Sequence, residues 1–211
     1  MNADTVQSWL EQSAASLREQ RDYLTQLDAA IGDADHGVNM DRGFAAVASV
    51  VNAADGLAPG ELLVQAGATL ILRVGGAAGP LYGSALREAG RSLGEATVFG
   101  LPELAAALDE ALAGIVRLGA AEEGDKTIVD AWTPALRALR DARPAGVAGA
   151  LRAAGVAAEG GAAATTPMEA RKGRASYLGP RSVGHQDPGA ASTALLFGAL
   201  ERAAADAPPD R

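Results

Sequence analysis

The chain has 211 residues, with 18 lysines and arginines against 26 aspartates and glutamates, a formal net charge of −8 and no cysteine. That balance opposes binding to nucleic acid, since the only concentrated basic stretch is Arg171, Lys172 and Arg174. The missing thiols exclude disulfides, thiolate metal sites and a cysteine nucleophile. With 48% hydrophobic and 21% charged residues, the chain can bury a core as one domain over 1–211.

Alanine and leucine abound while β-branched residues are sparse, so an all-α fold is expected. Val6, Trp9, Leu10, Leu17, Leu24 and Leu27 recur at three- and four-residue steps after the capping candidates Asp4 and Thr5, predicting a first helix that ends near Ala30. A second is predicted from about Val38 to Val51, with Met40, Phe44, Val47 and Val51 on one face. A third opens at Pro59 and carries Leu62, Leu63, Ala66, Leu70 and Ile71. The same pattern predicts helices at roughly 78–93, 102–118, 126–140, 145–170 and 190–206, eight in all with no convincing strand. The tail from about residue 204 is expected to fray. Met1–Asp4 lacks a signal-peptide pattern, and the apolar stretch Leu62–Val74 is interrupted by Gln65 and Arg73 and too short for a bilayer, so no membrane partner and a cytoplasmic location are expected.

Four segments break the helical pattern: Ile31–Asn39, Gly75–Gly83, Gly119–Thr127 and Arg171–Gly189. Near the first, Asp28, Asp33 and Asp35 bring three carboxylates into eight residues. At ~5 Å and an effective dielectric of ~20, each like-charged pair costs about 3 kcal/mol, which a divalent cation would reverse. All-oxygen ligands favour magnesium or calcium. A calcium loop opened at Asp33 would need Gly and Glu where Val38 and Phe44 stand, so magnesium fits better. The competing reading is a solvated acidic loop with Asp35 as a helix cap.

Gly75–Gly83 ends at a helix start and suits either backbone approach to an anion or tight helix packing. Gly124-Asp125-Lys126-Thr127 reads as a turn with Asp125 or Thr127 as the cap. The last segment offers Arg174, Asp187 and Gly189, while Arg171 and Arg181 suit surface ion pairs. His36 lies between carboxylates and a glycine, placed for a phosphate or a carboxylate; His185 suits a loop-locking hydrogen bond equally well.

Asp28 followed by IGDADHGVNMDRGF from Ile31, GGAAGPLYG from Gly75, GDKTIVDAWTPA from Gly124 and ARKGRASYLGPRSVGHQDPGAAS from Ala170 resemble, in order and spacing, the nucleotide-binding L subunit of phosphoenolpyruvate-dependent dihydroxyacetone kinase. The likeness runs from about Trp9 to Phe197. It implies a single-domain barrel of eight antiparallel helices with the nucleotide at one end. It also implies that Asp28, Asp33 and Asp35 hold two magnesium ions on the phosphates of ADP or ATP. His36, Gly37, Val38, Asn39, Ala77 and Ala78 would then surround the phosphates, and Gly119, Ile128, Arg174, Asp187, Pro188 and Gly189 the rest of the nucleotide. Ala78 departs from the family, where serine is common, which leaves an N–H but no hydroxyl there.

The resemblance further implies transfer of the terminal phosphoryl group to dihydroxyacetone held covalently on a separate K subunit. Bound ADP would be recharged by a phosphohistidine carrier subunit. No catalytic nucleophile or base is assigned in this chain, and a homodimer is left open. The alternatives are an ATP-dependent kinase subunit for another small ketose or tetrose, and a regulatory binding module read by its nucleotide state.

Overall fold

The computed structural model describes residues 1–206, all-helical with a single isolated bridge between Asn2 and Val98. Nine α-helices are present among them: α1 (Ala3–Glu19), α2 (Arg21–Ile31), α3 (His36–Asn52), α4 (Pro59–Arg73), α5 (Ala78–Leu93), α6 (Leu101–Gly119), α7 (Val129–Asp141), α8 (Gly146–Ala164) and α9 (Pro188–Asp206). Short 3₁₀ segments occupy Arg143–Ala145 and Arg174–Ser182.

The predicted first helix is broken at Gln20, whose N–H still reaches back to Ser16 while its backbone leaves the helical range. Its cap is also two to three residues earlier than predicted. Asn2 accepts from the Thr5 N–H, and the Thr5 hydroxyl accepts from the Asn2 N–H in return, so neither Asp4 nor Thr5 is the cap residue. The helix predicted to run to 170 stops at Ala164, where the chain enters a turn. Of the tail expected to fray, residues up to Asp206 continue α9 with Ala203 buried, and the rest lies outside the described residues.

Eight helices form a closed ring. Helix α1 packs on α3, each helix from α3 to α8 packs on the next, and α9 returns to α1. Helix α2 stands outside this ring, against α3 and α9. Connections of four to nine residues make the neighbours from α3 to α8 antiparallel, and α9 runs back along α8, with Arg152 paired to Glu201 and Gly155 facing Gly198. The up-and-down order therefore brings every second connection to the same end: 31–36, 73–78, 119–129 and 164–188. Those are the four segments in which the helical pattern fails.

Inside the ring, Trp9, Leu17, Phe44, Leu70, Leu108, Ile115 and Leu136 are buried together. Trp132 meets Phe197 edge to face at 5.3 Å, and the two indoles donate to the carbonyls of Leu196 and Leu108. Helices α4 and α5 touch through glycine: a Cβ at Gly83 would lie 2.7 Å from the Gly67 carbonyl, and one at Gly67 would lie 2.5 Å from that of Gly83. No helix among the described residues is long and apolar enough to cross a membrane.

Candidate functional site

The acidic cluster forms as its spacing predicts, with one carboxylate oxygen from each of Asp28, Asp33 and Asp35 lying within 4.8 Å of the others. Asp28 comes from the last turn of α2, yet its carboxylate serves the opposite pole of another helix. Oδ2 accepts from the N–H groups of Asp35 (2.8 Å) and His36 (3.1 Å), which open α3. An anion there gains from the α3 dipole. Asp35, at the cap position, makes no side-chain capping bond, so the capping role that the competing reading gave it falls to Asp28. The arrangement depends on Gly32, since a Cβ there would sit 2.0 Å from Asp28 Oδ1. Asp33 and Asp35 are exposed, and Asp33 pairs with Arg174 at 3.0 Å.

Beside the cluster lies a cleft of about 760 Å³, lined by Asn39, Gly75, Gly76, Ala77, Ala78 and the basic run 171–174, along with the three aspartates. Helix α5 begins at Ala78 with no side-chain cap, which leaves first-turn N–H groups for an acceptor from outside. The segment Gly75–Gly83 thus divides between its two readings: 75–78 line the cleft, while Gly79 and Gly83 serve packing. A second, more apolar cavity of about 260 Å³ adjoins it, walled by Ile31, Leu81, Ile115, Ile128 and Pro188 and rimmed by Gly119, Asp187 and Gly189.

Of the predicted nucleotide residues, His36, Asn39, Ala77, Ala78, Gly119, Ile128, Arg174, Asp187, Pro188 and Gly189 line one or both of these spaces. Gly37 and Val38 line neither: Gly37 packs against the Arg21 carbonyl, and Val38 is exposed. His36 Nε2 lies 2.9 Å from Ser192 Oγ, and burial lowers its pKa against the pull of Asp28 and Asp35. The ring therefore ties α3 to α9. Ser192 in turn meets the buried Tyr82 hydroxyl, which also reaches Thr193 Oγ1 and the Gly189 carbonyl. Desolvation raises the Tyr82 pKa, keeping that phenol protonated.

Asp187 caps α9, accepting from the Ala190 N–H at 2.7 Å, and burial of the carboxylate raises its pKa to about 7. In the turn before α7, Asp130 is the principal acceptor, taking the N–H groups of Gly124 and Thr127; the Thr127 hydroxyl accepts only from the Val129 N–H, and the Asp125 carboxylate accepts from the Glu122 N–H. Among the described residues, Arg171 and Arg181 make no ion pair; Arg174 is the arginine of this loop that does. His185 contributes its main-chain carbonyl, which accepts from Lys126, while the residue itself is exposed.

Residue-level reading of the sequence missed Lys126, Asp130, Tyr82, Ser192 and Thr193. The one available signal was a lysine set inside a glycine turn. All three non-glycine residues with left-handed backbone among the described residues, Ala34, Ala120 and Lys126, lie in these site loops. Strain of that kind persists where surrounding contacts over-determine the backbone.

Fold and site define an all-helical barrel whose one end joins a carboxylate cluster suited to a divalent cation, an open helix N-terminus and an apolar cavity. The chain belongs to the DAK2 domain family, whose model matches residues 30–202. It is 42% identical to the ADP-binding subunit of the phosphoenolpyruvate-dependent dihydroxyacetone kinase of Escherichia coli, over 94% of this chain and 96% of that one. A Listeria innocua subunit of the same description is 37% identical over 93% of this chain and 94% of its own. The crystal structure of the dihydroxyacetone kinase from C. freundii in complex with AMP-PNP and Mg2+ superposes with a TM-score of 0.74 at 30% identity, over 93% of this chain. The chain spans 33% of that larger protein.

Proposed function

We propose that this chain is the ADP-binding subunit of a phosphoenolpyruvate-dependent dihydroxyacetone kinase, a cytoplasmic phosphotransferase that passes its nucleotide's terminal phosphoryl group to dihydroxyacetone. The sugar is held on a separate K-type subunit, and bound ADP is recharged by a phosphohistidine carrier. The assembly in this reading is with those subunits. The observation that carries the proposal is the meeting of three carboxylates, the uncapped start of α5 and an apolar cavity at one end of the barrel. Near full-length similarity to named ADP-binding subunits supports it.

The donor set fits magnesium, being all carboxylate with two of its three residues open to water. Asp28, Asp33 and Asp35 would hold the cations, two in this reading, which when bound neutralise phosphate charge and favour in-line transfer. Three carboxylates and ADP carry about −6 against +4, leaving roughly two negative charges for cationic and N–H donors. Arg174 can swing from Asp33 to meet part of that charge, and the N–H groups of Ala77 and Ala78 meet more. His36 to Asn39 form the adjoining first turn of α3, where His36 holds α3 to α9. Ile128, with Gly119 and Asp187 to Gly189, shapes the apolar cavity for the base and ribose. The chain's own contribution is clamping and positioning, with covalent handling of the sugar left to the partner.

Calorimetry tests the first half of this reading: ADP should bind tightly with magnesium and leave in chelator. A chase tests the second half, with labelled ADP loaded on the chain, a K-type subunit and sugar added, and either phosphocarrier or excess unlabelled ATP supplied. Product formed with the label retained supports recharging in place. Rapid turnover on free ATP with early loss of label would instead favour an ATP-dependent kinase. That second reading has its own support in a 36% identity to the D-erythrulose kinase of Mycolicibacterium smegmatis, of which this chain spans 32%.

A further inference from the structure

Lys126 is 1% exposed, and its ammonium is enclosed by main-chain oxygen. Nζ donates to the carbonyls of Thr165 (2.9 Å), Met168 (3.1 Å), Ser182 (2.9 Å) and His185. Three N–H donors facing four acceptors leave no capacity for a ligand. Desolvating an ammonium is costly, so this lysine stays buried only while the carbonyls remain assembled around it.

Those carbonyls come from the two ends of one excursion. Thr165 and Met168 follow α8, and Ser182 and His185 precede α9. Lys126 therefore closes the neck of the segment 165–187, whose middle carries Arg171, Lys172 and Arg174 to the cleft. Three bonds reinforce the neck: Gly184 N–H to the Thr166 carbonyl, Asp187 N–H to Thr165 Oγ1, and Ala170 N–H to Ser182 Oγ. On the other side, Lys126 belongs to the turn that supplies Thr127 and Ile128 to the apolar cavity. The turn is braced by Asp130 and by the Arg171 N–H, which donates to the Asp125 carbonyl. One side chain thus joins two walls of the same cavity. Its left-handed backbone, φ 63°, is a strain accepted in a non-glycine residue at this junction.

We propose that Lys126 is a positioning residue of the nucleotide site: its ammonium pins the 165–187 segment to the turn before α7 and so holds Arg174 and Asp187–Gly189 in register with the aspartates. This rests on the nucleotide reading above. Removing the charge leaves four carbonyls short of a donor, and the loop residues lose their fixed distance from the phosphate end.

The experiment compares ADP binding with magnesium in the wild type, Lys126→Met, Arg174→Ala and the double variant, with circular dichroism and melting as fold controls. Lys126→Met should weaken ADP about 10- to 100-fold while the helical spectrum persists. On the Arg174→Ala background the same change should cost a distinctly smaller factor, because part of its effect runs through Arg174. An equal factor on both backgrounds, or wild-type affinity in folded Lys126→Met, would overturn the proposal. Chemical rescue supplies the charge test. The chain has no cysteine, so Lys126→Cys can be alkylated uniquely in denaturant and refolded. Aminoethylation should restore affinity, whereas an uncharged alkyl group of the same length should not; equal rescue by both would sink the idea. If no variant folds, amide exchange on the nucleotide-free wild type decides, since a pinned neck protects Gly184 and Asp187 and free exchange there refutes it. Failure of the wild type to bind ADP would fault the nucleotide reading alone, because the exchange measurement does not depend on it.

Discussion

Where α1, α4 and α6 begin, each first turn is closed by a residue within three positions of it: Asn2 with Thr5, Glu61 reaching back to the Ala58 N–H, and Glu103 to that of Gly100. Where α3 and α5 begin, at the opposite end of the barrel, local closure is missing. Helix α3 takes its cap from Asp28, eight residues before His36, and α5 has no side-chain cap. The site end also holds every buried charged side chain among the described residues, namely Asp28, Asp125, Lys126 and Asp130. Three helix starts at one end use short-range hydrogen bonds that any isolated helix could use; at the site end such a bond closes α9, from the Ala190 N–H to Asp187. Elsewhere the site end keeps unmet polarity and backbone strain in place through contacts between distant segments, which is how a site remains ready for a charged ligand.

The largest effect expected to separate the two ends concerns the cluster. Asp33→Asn should weaken magnesium-dependent ADP binding by about 100-fold or more, from the loss of a charged ligand at short range, while Asp22→Asn on the outer face of α2 leaves it unchanged. Equal calorimetric affinities for the two variants would remove the metal assignment. Asp28→Ala should match that loss of affinity and also destabilise the fold by about 1–3 kcal/mol, because two N–H groups of α3 lose their acceptor. Chemical denaturation without nucleotide reads the second effect apart from the first. A variant that lost affinity at full stability would show that Asp28 does not hold α3.

Gly32→Ala comes next, with an expected loss of about tenfold in ADP affinity, since its methyl group displaces the Asp28 carboxylate from the geometry its neighbours require. Calorimetry at fixed magnesium checks it, and wild-type affinity would mean that the carboxylate can relocate freely.

A smaller effect is expected from pH. Burial raises the Asp187 pKa to about 7, so the fold favours the protonated acid. The associated stability is fully present below the ordinary carboxylate pKa near 4 and is lost as pH rises through 7. Asp187→Asn keeps an acceptor for the Ala190 N–H but cannot ionise, so the fall in melting temperature between pH 5 and pH 8 should shrink by a few degrees. An unchanged pH profile would show that the carboxylate is better solvated than its surroundings indicate. The smallest effect belongs to the other end: Asn2→Ala should cost about 1 kcal/mol of stability and leave ADP affinity untouched.

Periodicity alone determined much of this molecule. Apolar residues at three- and four-residue steps located the helices, and an up-and-down order with short connections then sends the four irregular segments to one end. The three aspartates were legible for a local reason, as they fall within eight residues of chain. Tertiary structure decided what depends on residues far apart in sequence. The break at Gln20 puts α2 outside the ring, the Asp28 carboxylate turns from its own helix to the start of α3, and Arg174 reaches Asp33 across more than a hundred residues. Lys126 was hidden most completely. In the sequence it is a polar residue in a glycine turn, and its role exists only once carbonyls from both ends of a distant loop surround it. An ammonium can be buried there because the folded main chain supplies the oxygen that water otherwise provides.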